Sequence, residues 1–117
     1  MRMNGNEPID QKVVTELREL MGDAYLTVYE AFLRSGEQNM SDLAAAVADN
    51  KLENIKSITH TLKGSSANIG AKRLSEISME MMEDARNSMV ADYHSYLANM
   101  QQEFKRVCDM IETFSAV

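Results

Sequence analysis

Residues 58–71 read Ile58-Thr59-His60-Thr61-Leu62-Lys63-Gly64-Ser65-Ser66-Ala67-Asn68-Ile69-Gly70-Ala71. On an α-helix, where successive residues are turned by roughly 100°, the apolar and small residues in and just before this stretch fall within one narrow sector. The members of that sector are Ile55, Ile58, Leu62, Ser65 and Ile69. This spacing predicts a helix from Lys51 to about Ile69 that buries the sector and exposes the opposite face. Gly70 is placed to end the helix, since glycine readily adopts the left-handed backbone of a helix C-terminus.

The chain on both sides of this stretch has the same three- and four-residue apolar spacing. It predicts four more helices, at about residues 10–21, 23–48, 72–87 and 90–114. The Ser35-Gly36 pair is a candidate position for a kink or a break in the second of the five helices. The single proline is Pro8, so nothing after it forbids a continuous helix. Short connections between long amphipathic helices predict an all-α fold, an antiparallel four-helix bundle with an additional short N-terminal helix.

Length, charge and cysteine content narrow the functional classes. The 117 residues suffice for one domain, and the net charge of −6 disfavours nucleic acid and anionic membranes as partners. Cys108 is the only cysteine, which excludes an internal disulfide and fits a reducing compartment. No apolar run is long enough to span a membrane, and residues 1–8 lack the apolar stretch of a signal peptide. We therefore expect a cytoplasmic protein in which residues 1–8 form a flexible leader.

His60 projects from the predicted helix on the side opposite the apolar sector. A solvent-facing imidazole is available as a nucleophile in its neutral form. Gly64, one turn later, costs about 1 kcal/mol of helix stability relative to alanine, and the close approach of another backbone or of a phosphoryl group would explain it. Lys63 reaches the same space and can offset the negative charge of a phosphoryl group. Each residue alone is ordinary, but the three together on one face favour phosphoryl chemistry.

The run from His60 to Ser66, followed by Asn68-Ile69-Gly70-Ala71, resembles the H-x-L-K-G-S-S-x-x-[apolar]-G-A signature of histidine-containing phosphotransfer (HPt) domains. The resemblance covers nearly the whole chain and implies a single HPt domain at residues 9–117. It also implies that His60 is the phosphoacceptor, through its outer ring nitrogen. In the same way, it implies that Lys63 stabilises the phosphoryl charge and that Gly64 provides steric clearance for the ring and for the partner's active site.

The resemblance implies a phosphocarrier rather than an ATP-dependent kinase. The chain would accept a phosphoryl group from a receiver-domain aspartate of a hybrid sensor kinase and pass it to the receiver of a response regulator. Magnesium is then expected on the partner receiver, with no cofactor or metal on this chain. Nucleic acid and membrane are not expected as partners, and a monomer is expected. Both a stand-alone protein and a domain of a larger kinase fit this interpretation.

One position departs from the family pattern. Many HPt domains carry, on the helix after the histidine, a glutamine that hydrogen-bonds the inner ring nitrogen. Met82 falls at about that position and cannot replace the amide, and the helical offset leaves the neighbouring Glu83 uncertain as a substitute. No orienting residue is therefore assigned to His60. The departure keeps a second hypothesis open, a non-transferring four-helix-bundle adaptor that binds receiver domains or other signalling proteins.

The remaining candidate residues have simpler interpretations. His94 lacks a neighbouring Lys-Gly pair and is interpreted as structural or solvated, and Cys108 as a small core residue. The acidic residues Glu80, Glu83 and Asp84 favour a solvated face over a metal site. A metal- or haem-binding bundle is disfavoured because two histidines are too few and His60 points outward. By family resemblance, the first helix flanks the histidine and contributes partner contacts, and the candidates are Val13, Val14 and Leu17.

Overall fold

The computed structural model describes residues 7–115, and all of its regular structure is helical. Five α-helices follow one another: α1 (Gln11–Met21), α2 (Tyr25–Ala48), α3 (Leu52–Asn68), α4 (Lys72–Arg86) and α5 (Tyr93–Phe114). A short 3-10 turn, Gly22–Ala24, joins α1 to α2. The five predicted helices are confirmed, with ends that differ by a few residues. Most of the predicted leader, residues 1–6, lies outside the described residues.

Helices α2 to α5 form the predicted four-helix bundle. Helix α2 packs against α3 and α5, and α4 packs against the same two helices, so the four close around one core. Side chains from each of the four are fully buried there, among them Tyr29, Leu62, Leu74 and Met100. Helix α1 is the additional N-terminal helix and packs against α2. None of the helices in the described part of the chain has the length and hydropathy needed to cross a bilayer.

Three of the bundle helices end in the same hydrogen-bonded motif. The residue after each C-cap has a left-handed backbone: Asn50 after α2, Gly70 after α3 and Ser88 after α4, with φ of 55°, 86° and 54°. In each case its N–H donates to the carbonyl three residues back, and the next N–H donates to the carbonyl five residues back. This Schellman motif satisfies carbonyls that would otherwise lack partners. It also reverses the chain within a few residues, which places consecutive helices side by side.

Ser88 has a side chain where this motif favours glycine. A left-handed backbone costs an L-residue about 1–2 kcal/mol, whereas glycine adds about 0.5–1 kcal/mol of unfolded-state entropy. Because Ser88 is exposed, replacing it removes no core contact, and we expect Ser88→Gly to raise the free energy of unfolding by about 0.5–1 kcal/mol. Urea denaturation measures the change. Asn50→Gly is the matched control and should gain less, since asparagine tolerates this backbone; a loss of stability in Ser88→Gly would contradict the expectation.

The Ser35-Gly36 pair neither breaks nor splits α2, which runs unbroken from Tyr25 to Ala48. Gly36 is buried, and a Cβ built on it would lie 2.6 Å from Cε1 of Phe104 on α5. The missing side chain thus lets the Phe104 ring lie against the backbone of α2. Glycine within a helix signals either bending or close packing, and here the packing of α5 explains it.

The buried stripe of α3 differs from the predicted one at its polar positions. Ser65 is only half-buried, as is Ile58, while Thr59 and Ser66 are fully buried. The stripe therefore follows positions 55, 59, 62, 66 and 69, the alternating four- and three-residue spacing of packed helices. Thr59 is satisfied within its own helix, since its Oγ1 donates to the Ile55 carbonyl at 2.7 Å. Small side chains at these positions allow α4 to pack closely, and α3 with α4 is the most extensive helix pair.

Tyr29 of α2 fixes the end of α3 that follows the histidine motif. Its side chain is fully buried, and its hydroxyl donates to the Ile69 carbonyl at 2.9 Å. Burial, with a smaller contribution from Tyr25, raises the pKa of Tyr29 from 10.0 to about 12. The phenol is therefore held protonated as a buried donor, which anchors the α3–α4 turn to the core.

Tyr29 is expected to make the fold sensitive to alkaline pH. Because its pKa is higher in the folded chain than in the unfolded one, its contribution is complete below pH 10 and is lost as the pH rises towards about 12. We expect Tyr29→Phe to lower stability at pH 7 by about 1–2 kcal/mol, from the lost hydrogen bond. The variant should also lose less stability than wild type between pH 9 and pH 11 (about 1 kcal/mol less). Urea titrations at the three pH values test this; equal alkaline losses would contradict it.

Candidate functional site

His60 lies in the middle of α3 and is exposed. The buried neighbours Thr59 and Leu62 fix the rotation of the helix, and this rotation directs His60 away from the core, as predicted. Within residues 7–115 the imidazole forms no hydrogen bond or ion pair. Both ring nitrogens are therefore free to meet a group from outside the chain.

A groove of about 690 Å³ runs beside His60, between α3 and α4. Its walls are Glu53, Lys56, Ser57, His60, Thr61 and Lys63 of α3 and Met82, Glu83 and Arg86 of α4. Three cationic side chains and two carboxylates give this groove, with His60 neutral, a net charge of +1. The whole chain carries −6, so the groove is a locally cationic region on an acidic protein. A group with negative charge is favoured there over the rest of the surface.

Lys63 is the cation of the groove without a carboxylate partner among residues 7–115. Lys56 pairs with Glu53 at 3.2 Å, and Arg86 pairs with Glu83. Lys63 is half-buried one turn from His60, and its carbonyl accepts a hydrogen bond from the Ser75 hydroxyl of α4 at 2.8 Å. The backbone at Lys63 is thus tied to the neighbouring helix, while the ammonium group remains free to bind an anion.

Gly64 is exposed, and beyond the neighbouring backbone of α3 itself a Cβ built on it would meet no atom of residues 7–115 within 4 Å. Packing inside the chain therefore gives no reason for glycine at this position, in contrast to Gly36. The omitted side chain leaves the backbone of α3 open beside His60. This arrangement fits the predicted role of Gly64 in giving clearance to an approaching partner, and that role remains a prediction.

Helix α1 flanks the end of the histidine face. The Asp10 N–H donates to the Gly70 carbonyl at 2.9 Å, and Val13 lies against Gly70 and lines a small cavity with Ala67. Val13 and Leu17 are half-buried. Val14 is buried in the core, so the prediction that it contributes to a docking surface is wrong. The helical spacing places Val14 on the inner side of α1.

Met82 lines the groove with His60, at the position where a glutamine was expected. It is 8% exposed and forms part of the groove floor. The adjacent Glu83 pairs with Arg86. Neither residue hydrogen-bonds the imidazole, and no other side chain of residues 7–115 does so.

The family follows from comparison with known proteins. A family model described as the Hpt domain matches residues 27–116, well over half of the chain. The chain belongs to the Hpt domain family. The crystal structure of histidine-containing phosphotransfer protein B (HptB) from Pseudomonas aeruginosa PAO1 is similar, with 26% sequence identity and a TM-score of 0.88. That similarity covers 93% of this chain and 95% of the HptB chain. A comparison with curated proteins found no match.

Membership in the Hpt family supports a coarse statement of function. These domains take part in histidine phosphotransfer in two-component signalling, as phosphocarriers rather than kinases, and they interact with receiver domains. The matched segment includes α3 and α4, which carry His60 and the groove, whereas α1 precedes it. The interpretation of the histidine motif as an Hpt signature is thus confirmed at the level of the family.

The other candidate residues lie outside this groove or have partners. His94 is exposed near the start of α5, where the Asp92 carboxylate caps the helix by accepting from the Ser95 N–H at 3.0 Å. Cys108 is half-buried, and burial raises the pKa of its thiol to about 11. Asp84 accepts from the Tyr96 hydroxyl at 2.7 Å. Among residues 7–115, no three acidic, histidine or cysteine side chains gather as a metal site.

Sequence reasoning missed the far wall of the groove. The hypothesis centred on α3; it considered Glu83 as a substitute for glutamine and as part of an acidic surface, and it left Arg86 out. A signal was present in the spacing, because Met82 and Arg86 are four residues apart and so lie on one side of α4. The spacing within α4 does not give the register between α3 and α4, so it could not show that these residues lie beside His60.

Proposed function

We propose that this Hpt protein is a phosphorelay intermediate that accepts a phosphoryl group on His60 and passes it on. The donor would be the phosphorylated aspartate of a hybrid-kinase receiver, and the acceptor the receiver of a response regulator. The observation that carries the proposal is the exposed, unpartnered imidazole of His60 beside a free Lys63 ammonium and the open backbone of Gly64. A phosphoryl acceptor that serves two partner proteins has to be accessible to both, and the His60 side chain is exposed.

The proposed transfer needs no group from this chain other than the imidazole and its surrounding charges. The Nε2 lone pair forms the N–P bond while the P–O bond to the receiver aspartate breaks, and the electron pair of that bond leaves on the carboxylate. The other ring nitrogen keeps its proton throughout. Lys63 balances the charge of the phosphoryl oxygens as the group crosses. Transfer to the second receiver is the same reaction in reverse.

The partner supplies the remaining catalytic parts in this proposal. Magnesium is placed on the receiver, where it binds the phosphoryl oxygens, and this chain needs no cofactor of its own. Its cationic groove then faces the acidic site of the receiver, which favours docking in this orientation. We further propose that the protein acts as a monomer in the cytoplasm, where a single unpaired cysteine fits the reducing conditions.

Phosphotransfer profiling tests the proposal. Receiver domains from the same genome are phosphorylated with a labelled phosphoryl group and mixed with the wild-type chain, with His60→Gln or with His94→Gln. We expect label on wild type and on His94→Gln, and none on His60→Gln. Circular dichroism should show the same helix content in all three, because both histidines are exposed. Label on His60→Gln would reject His60 as the acceptor.

A non-transferring adaptor is the second candidate. It is favoured by two observations: no side chain of residues 7–115 hydrogen-bonds the His60 ring, and Met82 stands where the family pattern has glutamine. The same experiment separates the two functions. Binding of a receiver without label on the chain, for every receiver tested, would favour the adaptor and reject transfer.

A further inference from the structure

Met82 places a thioether on the floor of the groove that also contains the His60 imidazole. No side chain of residues 7–115 accepts a hydrogen bond from this ring, and a thioether sulfur is only a weak acceptor. A neutral imidazole carries its proton on either nitrogen, and only the form protonated at Nδ1 has its lone pair on Nε2. The ring of His60 therefore lacks a partner that would select this nucleophilic form.

The register of α3 and α4 brings the side chains of His60 and Met82 together. The Ser75 hydroxyl donates to the Lys63 carbonyl, which aligns these two residues across the antiparallel pair. At 1.5 Å per residue, His60 lies about 4.5 Å from this level along α3, and Met82 lies about 10 Å from it along α4 in the same direction. Helical side chains lean towards the N-terminus of their own helix. The two side chains thus lean towards each other across the remaining offset of about 6 Å.

Exposure separates Met82 from other methionines of the chain. Met81 and Met100 are fully buried, whereas Met79 and Met89 are 46% and 52% exposed. Met82 is 8% exposed and lines a groove of about 690 Å³, which admits a small oxidant. Met79 and Met89 react sooner, but neither lines the groove. Of these five methionines, only Met82 can act directly on the imidazole once it is oxidised.

From this juxtaposition we infer that Met82 is a redox-modification site whose sulfoxide accepts a hydrogen bond from the Nδ1–H of His60. The oxidant is a hydroperoxide such as hydrogen peroxide. The sulfur lone pair forms the S–O bond while the O–O bond breaks, and the departing oxygen takes a proton and leaves as water. Sulfur loses two electrons and the peroxide gains them. The product is a polar sulfoxide, which positions the imidazole with its lone pair on Nε2.

The hydrogen bond is tested by NMR without any phosphoryl donor. The wild-type chain and Met82→Leu are treated with hydrogen peroxide, and mass spectrometry measures oxidation of each methionine. At about pH 9, where an imidazole is neutral, the ¹⁵N shifts of His60 report its tautomer ratio. We expect this ratio to move about two- to ten-fold towards the Nδ1-protonated form in the oxidised wild type, the effect of one ordinary hydrogen bond on an equilibrium. The exposed His94 is the internal reference and should not change.

Met82→Leu is the matched control, because leucine has nearly the same volume and no sulfur to oxidise. Its other methionines, including Met79 and Met89, are oxidised as in the wild type. The tautomer ratio of His60 should therefore be the same before and after peroxide treatment of this variant. Circular dichroism should show unchanged helix content in all four samples.

The consequence for transfer rests on the proposed function and is measured with a small phosphodonor. Phosphoramidate transfers its phosphoryl group to an accessible imidazole: the N–P bond of the donor breaks, ammonia leaves with the electron pair, and the bond from His60 Nε2 to phosphorus forms. We expect the oxidised wild type to be labelled about three-fold faster than the untreated protein. Methionine sulfoxide reductases should restore the original rate. Met82→Leu should be labelled at the same rate with and without peroxide.

The possible outcomes separate this inference from the proposed function. No label on His60 of the wild type, from phosphoramidate or from any receiver, would reject the proposed function, while the tautomer ratio would still test the hydrogen bond. Label on wild type with an unmoved tautomer ratio after oxidation of Met82 would reject only the role of Met82. Failure of peroxide to oxidise Met82 in the folded chain, or loss of helix content on its oxidation, would reject that role too. Equal changes in oxidised Met82→Leu would also reject it, because another methionine would then be responsible.

Discussion

Gly64→Gln is expected to reduce phosphorylation of His60 by a phosphorylated receiver at least about 100-fold, since a displacement of about 1 Å at a reacting centre has effects of that size. The glutamine side chain would project from α3 into the open space one turn beyond His60. It would thereby keep the receiver aspartate from reaching the imidazole. The rate of label transfer from a phosphorylated receiver measures the effect.

The fold itself should become more stable in this variant. Glycine costs about 1 kcal/mol in an exposed helix interior, and no neighbour within 4 Å is displaced at Gly64. Gly64→Gln should therefore raise the free energy of unfolding by roughly 0.5 kcal/mol. Phosphoramidate, which is far smaller than a receiver, should still label His60. Equal loss of labelling with both donors would contradict the clearance role, because the glutamine would then act on the imidazole itself.

Gly36→Ala is the matched control for stability. Its new Cβ would lie within 3.0 Å of two carbons of the Phe104 ring, so overpacking of about 1–3 kcal/mol outweighs the gain in helix propensity. In urea denaturation, Gly64→Gln should thus raise the free energy of unfolding and Gly36→Ala should lower it. A stabilised Gly36→Ala would show that the Phe104 ring moves aside without cost.

The contrast between Gly36 and Gly64 shows which features of the fold could be predicted from the sequence. Helix content and the outward direction of His60 depend on spacing within single segments, so they were predicted correctly. Whether another helix packs over Gly36 or Gly64 depends on the tertiary fold, and local spacing carries no information on that. The same limit explains Ser65 and Ser66, where the packing of α4 decided which small residue is buried.

The candidate site shows the same limit. The candidate residues on α3 could be grouped from the sequence because His60, Lys63 and Gly64 lie within about one turn of each other, and their roles remain predictions. Arg86 is 26 residues from His60 and joins the groove only through the register of α4 against α3. That register is set by the turn at Gly70 and by the hydrogen bond from Ser75 to the Lys63 carbonyl, which are features of the folded chain.

Gly70→Ala is expected to lower the free energy of unfolding by about 2–5 kcal/mol, through two effects that add. The left-handed backbone, with φ of 86°, costs an L-residue about 1–2 kcal/mol. A Cβ would also lie 2.8 Å from Cβ of Val13, and overpacking of this kind costs about 1–3 kcal/mol. Cβ of Val13 is fixed to the backbone of α1, so the contact is relieved only if α1 moves. Urea denaturation measures the total.

The contribution of the Val13 contact to this loss of stability can be separated by comparison with Ser88→Gly. Ser88 has the same left-handed backbone at the same position of the same motif. Ser88→Gly measures what a side chain costs at this backbone when nothing crowds it, and the excess of Gly70→Ala over that value belongs to the contact with α1. Hydrogen exchange should locate the excess, since displacement of α1 breaks the hydrogen bond from the Asp10 N–H to the Gly70 carbonyl. If Gly70→Ala lowers the free energy of unfolding only by as much as Ser88→Gly raises it, then α1 moves without cost. In that case the turn that sets the register of α3 and α4 does not depend on α1.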